Sequence, residues 1–142
     1  MKLFLTIASL FFLSSFLLAD NELITTSSGI TKGIKKGKVY LYEDIPYALP
    51  PNGVLRWKAP REMISSELIL PKDKNFCIQR PSNLGGAIGN THFVGTEDCL
   101  YLDVFTSKKD FNEKLPVMFW IHGGGNTSGL KDLYDFSKMV QK

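Results

Sequence analysis

His122-Gly123-Gly124-Gly125 is the stretch of this 142-residue sequence whose residue types and order could do chemistry. Three consecutive glycines let backbone N–H groups turn toward one point without side-chain obstruction, as stabilising the oxyanion of a tetrahedral intermediate requires. A flexible glycine-rich turn is the other reading of the same four residues. A phosphate loop is excluded, because Gly124 and Gly129 have the spacing of a Walker A start but Leu130 stands where its Lys is required. The run just before, Val117-Met118-Phe119-Trp120-Ile121, is apolar without alternation, which predicts a strand buried on both faces of an α/β sheet. After the glycines, Leu133, Phe136, Met139 and Val140 fall at helical spacing.

The elements that must hold this loop lie upstream. Glu22 to Ser28, Ile30 to Lys35 and Lys38 to Tyr42 are short and rich in Ile, Thr, Val and Tyr, with turn signals at Gly29 and Gly37, and predict an antiparallel N-terminal ribbon. Its Lys32, Lys35, Lys36 and Lys38 read as a solvated face that protects an edge strand rather than a ligand site. Pro46, Pro50, Pro51 and Pro60 disfavour regular structure from Asp44 to Arg61. Tyr47, Leu49, Leu55 and Trp57 are apolar enough for that irregular segment to lie against a core. Ser65 to Leu70 is a candidate short strand, and Leu100 to Thr106 a clear one. Ser107 to Lys114 suits a hairpin connection to Val117–Ile121. Gln79 to Gly95, with Gly85, Gly86, Gly89 and Gly95, reads as a surface loop containing His92, an ordinary loop residue.

Composition bounds the partners. With 44% apolar residues, 22% charged ones and a net charge of +3, the chain is too apolar and too nearly neutral for disorder. Its charges are dispersed, which argues against nucleic acid. Lys2, followed by Leu3 to Leu18 with 12 apolar residues of 16 and a small Ala19 before Asp20, has the pattern of a cleaved signal peptide. The run falls short of the roughly 20 residues that cross a bilayer, so no stable membrane anchor is expected. Residues 1–19 are thus assigned to export, into a periplasm or outside the cell. In an oxidising compartment Cys77 and Cys99 favour a disulfide over a metal site, with two separate buried thiols as the alternative.

Four segments, in order, resemble the type-B carboxylesterase and cholinesterase-like family of α/β-hydrolases, across most of residues 29 to 137. Asp44-Ile45-Pro46-Tyr47-Ala48-Leu49-Pro50-Pro51-Asn52-Gly53 is similar to the family's GIPYA-x-PP-x-G segment, with Asp44 in place of its usual Gly. Leu55-Arg56-Trp57-Lys58-Ala59-Pro60 resembles the LRF-x-x-P that follows. Glu97-Asp98-Cys99-Leu100-Tyr101-Leu102-Asp103-Val104 resembles EDCLYLN, and Trp120-Ile121-His122-Gly123-Gly124-Gly125 the oxyanion segment. The resemblance implies an α/β fold of which this chain is the N-terminal part: ribbon, first strands of the central sheet and oxyanion loop. It implies that residues 20–142 are a truncated portion of a carboxylesterase domain. Gly124 and Gly125 would donate oxyanion N–H groups, with Gly123 and His122 shaping the loop, and Cys77 would pair with Cys99. Arg56 and Glu97 would form a structural salt bridge. No cofactor or metal is implied, and the partner is a small-molecule ester.

The sequence departs from that family's chemistry in two respects. No Gly-x-Ser-x-Gly nucleophile segment occurs, and Gly125-Asn126-Thr127-Ser128-Gly129 places its Ser one position late. These residues therefore contain no triad, and the polypeptide by itself is expected to be inactive. A non-catalytic binding protein and the product of a broken gene are the alternatives to an esterase fragment. Between Cys77 and Cys99 the loop offers Phe93 but no Trp to hold a quaternary ammonium, which argues against choline esters. Asn126-Thr127-Ser128 has the form of a glycosylation sequon, read as chance because a glycan there would obstruct the loop.

Overall fold

The computed structural model describes residues 22–73, 75–108 and 114–141. The expected signal peptide lies outside them. Two antiparallel sheets form the ordered frame. β1 (Leu23–Thr26) and β2 (Gly29–Lys32) pair as a two-stranded ribbon, with Leu23 opposite Lys32 and Thr26 opposite Gly29. β3 (Ile34–Lys36), β4 (Val39–Pro46) and β5 (Tyr101–Thr106) make a three-stranded sheet in the order β3-β4-β5. β4 is the centre of the core. Val39, Leu41 and Tyr42 are buried, and β-branched and aromatic residues suit such a pleated, covered position.

β4 continues through Pro46, beyond the expected end of the ribbon, because β5 supplies a partner for it. Tyr42 faces Val104 and Ile45 faces Leu102, so Glu43 and Asp44 together oppose the single residue Asp103. This is a β-bulge, which bends the strand and re-aims a side chain. Asp44 takes φ 60° there, a left-handed conformation in which Gly is the usual occupant and Asp is tolerated.

The Pro-rich segment is irregular and tied down by main-chain bonds. The Tyr47 N–H donates to Leu100 O at 3.1 Å and the Leu49 N–H to Arg61 O at 2.8 Å. Its aromatic residues are not core, however: Trp57 is exposed with φ 61°, and Tyr47 is exposed as well. Ser65 to Leu70 gives no strand, only a bridge between Ile30 and Leu68. The Cys loop is irregular, closed by bridges pairing Cys77 with Thr96 and Gln79 with Val94. A Cys77–Cys99 disulfide spans its base.

The largest correction concerns Val117–Ile121. No strand forms there, and Val117 and Ile121 are 91% and 77% exposed. An apolar run becomes a buried strand only where ladders and covering faces exist. Among the described residues none pairs with it, and most of the expected connection from Ser107 to Lys114 lies outside them. The helix expected over Leu133 to Val140 is one turn, α1 (Ser137–Val140), preceded by a 3₁₀ turn at Lys131–Leu133. A segment that short relies on packing rather than propensity.

Candidate functional site

Two anchors flank the glycine loop. On its upstream side Trp120 packs edge-on against Tyr134, with ring centroids 4.9 Å apart, and against Phe136 at 5.0 Å. Phe136 in turn meets Phe105 of β5 at 5.9 Å. Such tilted and T-shaped aromatic pairs bring both area burial and quadrupole attraction. The cluster hangs the extended run and α1 on the edge strand.

Downstream, Gly129 is buried and held by Gln79. The Gly129 N–H donates to Gln79 Oε1 at 2.8 Å, and Gln79 Nε2 donates to Gly129 O at 2.9 Å and to Cys77 O at 3.1 Å. Gly129 takes φ 141°, and a Cβ there would meet the His122 ring and stand 2.6 Å from Gly123 O. Only glycine lets the two ends of the loop approach so closely. His122 Nδ1 donates to Gly123 O at 2.9 Å, so its ring lies within the loop's own turn.

Between the anchors the chain turns tightly. Gly124 O accepts the N–H groups of Thr127 at 3.1 Å and Ser128 at 3.2 Å, and the Thr127 hydroxyl at 3.0 Å. Gly124, Gly125 and Asn126 follow one another at φ 127°, 61° and 58°. Positive φ at three successive residues is a backbone that glycine adopts freely and Asn tolerates. Among the described residues no hydrogen bond engages the Gly124 or Gly125 N–H, and residues 122–127 are exposed. Asn126, the acceptor of the sequon, sits in this turn.

Just past the loop, Lys131 enters a buried charge cluster. Its Nζ lies 2.9 Å from Asp44 and from Asp103, and 2.5 Å from Asp132. Asp44, 5% exposed, also accepts the Lys72 N–H at 2.9 Å and the Asn75 side-chain amide, while its own N–H donates to Asp103 Oδ1 at 2.9 Å. Burial disfavours the Lys131 charge, but the hydrogen bonds it donates to Asp132, Asp103 and Asp44 outweigh that and raise the pKa. Burial pushes the Asp103 carboxyl up. A second, more exposed group joins Lys72 Nζ to Asp98 and Tyr101, each at 2.6 Å. Burial works against the Asp98 charge, yet the bonds from Lys72 and Tyr101 hold its pKa below the usual carboxylate value.

Of the residues singled out in the sequence, Arg56 and Glu97 form an ion pair, and the cysteines are joined. Gly123, Gly124, Gly125 and His122 lie together in one loop. Sequence reasoning missed Gln79, Lys131 and the partnership of Asp44 with Asp103. A signal existed for Asp44, since it stands where the segment it resembles has Gly, the residue most at ease in left-handed backbone. Gln79 offered none beyond its place two residues after Cys77. His92 meets Phe93 edge-on, with ring centroids 4.7 Å apart, within the Cys loop.

A glycine loop with unengaged N–H groups after an apolar run is an arrangement used by hydrolases of the esterase class. The carboxylesterase family model matches residues 20–142, and the chain belongs to that family. It is 37% identical over 124 residues to a para-nitrobenzyl esterase of Bacillus subtilis, covering 84% of this chain and 25% of that one. It is 38% identical over 128 residues to the cAMP-regulated D2 protein of Dictyostelium discoideum, covering 86% and 23%. A solved thermophilic PNB esterase superposes with a TM-score of 0.64 at 35% identity, over 84% of this chain and 25% of that one. The chain spans about a quarter of the length of these relatives. No helix among the described residues is long and apolar enough to cross a membrane.

Proposed function

We propose that this chain is the oxyanion-bearing N-terminal portion of a serine carboxylesterase. The whole enzyme attacks a carboxylic ester with Ser, forms an acyl-enzyme and releases it with water. Gly124 and Gly125 would stabilise the tetrahedral oxyanion through their N–H groups, while Gly123 and His122 shape the loop. The observation that carries this reading is the pair of unengaged N–H groups on an exposed left-handed turn, in a chain of the carboxylesterase family. Preorganised donors of this kind supply about 2.7–4 kcal/mol each toward an acyl-transfer barrier. They cannot start the reaction, because the 142 residues contain no Gly-x-Ser-x-Gly. Residues 1–19 would direct export, with cleavage near Ala19, and the Cys77–Cys99 bridge suits an oxidising destination.

p-Nitrophenyl ester hydrolysis tests the proposal. The 142-residue polypeptide is expected to show no turnover above the buffer rate. A polypeptide extended by in-frame sequence carrying Gly-x-Ser-x-Gly and a later His is expected to turn over. Serine-dependent turnover by the 142 residues alone would sink the assignment of roles.

A further inference from the structure

We infer that Gln79 is the positioning residue of the glycine loop, setting where the Gly124 and Gly125 N–H groups stand by gripping Gly129 through both its polar atoms. Four observations converge on it. Gln79 is 7% exposed, so its amide needs buried partners. Those partners are the N–H and the O of one residue 50 positions away, a two-bond grip that fixes orientation as well as distance. The Gln79 main chain is itself pinned, exchanging hydrogen bonds of 2.9 Å with Val94 in both directions. The third side-chain bond, to Cys77 O, joins the grip to the disulfide-tied base of the Cys loop.

Geometry gives the grip its leverage. Gly129 packs against the His122 ring and Gly123 O, so it is the closing point of the turn whose other end begins the donor segment. Gly86 of the Cys loop approaches Ser128 and Gln79 as well: a Cβ there would stand 3.0 Å from the Ser128 Cβ and 3.1 Å from Gln79 Oε1. The Cys loop therefore serves as the platform on which the glycine loop rests. The inference deepens the oxyanion reading and rests on it for its catalytic meaning.

The test replaces Gln79 by Met, which keeps length and volume but makes none of the three bonds. In a dilute solution of the 142-residue polypeptide, hydrogen exchange is read for the Gly123–Leu130 segment and for β4 and β5. The chemical shift of the Gly129 amide proton serves as a local signature. For Gln79→Met we expect loop protection to fall at least about tenfold and the Gly129 resonance to move toward the solvent-exposed position. Protection in β4 and β5 should stay within about twofold of the parent. Unchanged loop protection would show that the amide merely fills space and would overturn the inference. Equal loss in β4 and β5 would overturn it too, since Gln79 would then hold the fold rather than the loop. None of these readouts depends on ester turnover, so failure of the esterase proposal leaves this result separately legible.

Discussion

Asp44 meets two demands at once. Its backbone is left-handed in the bulge, and its carboxylate partners Lys131 beneath the end of the glycine loop. Left-handed geometry costs a residue with a Cβ roughly 1 kcal/mol. Asp44→Ala should therefore destabilise by about 1 kcal/mol more than Asp44→Gly, since both lose the carboxylate but only Ala keeps the strain. Urea unfolding midpoints at matched slopes will measure the difference. Lys131 leads to a pH prediction. Its pKa is raised in the folded state above the ordinary 10.5. The stabilisation from its charge is accordingly complete below 10.5 and is lost as pH rises through the folded value. Thermal unfolding followed into alkaline solution should show that decline, and Lys131→Met should abolish this component of it.

At the scale of elements, the Cys loop has two ties of unequal worth. The Arg56–Glu97 pair links the Pro-rich segment to the loop, but its side chains are 54% and 37% exposed, and pairs of that exposure contribute under about 1 kcal/mol. The disulfide closes a loop of 22 positions and restrains the unfolded chain by roughly 3 kcal/mol. Arg56→Ala should hardly move the unfolding midpoint, whereas Cys77→Ser with Cys99→Ser should move it strongly; chemical denaturation of the two variants decides. Legibility in the sequence followed the range of the interactions. The β1–β2 ribbon and β5 were readable because alternation, β-branched residues and Gly29 act locally. β4 ran past its expected end because the pairing that extends it comes from β5, distant in sequence. Val117–Ile121 misled for the converse reason, since an apolar run states a need for burial and not whether a partner exists. The glycine loop was legible as four residues. Its anchors were not, because Gln79 and Lys131 act through contacts with no periodic signature.

At the scale of the whole molecule, the exposed apolar run after β5 bears on solution behaviour. Val117, Met118, Phe119 and Ile121 stand exposed side by side, and contiguous apolar surface with open backbone edges drives association. The 142-residue polypeptide expressed alone should self-associate with rising concentration, and Phe119→Lys should shift the onset upward. Light scattering across a dilution series measures both. The grip on Gly129 bears on time as well as on place. Hairpins such as β1–β2 close between near neighbours and form in microseconds. The Gln79–Gly129 bonds join residues 50 positions apart and need the Cys loop folded beneath them, and such distant closures come late because their entropy must be overcome before any contact rewards it. Folding should therefore run from the ribbon inward, with the glycine loop set in place last.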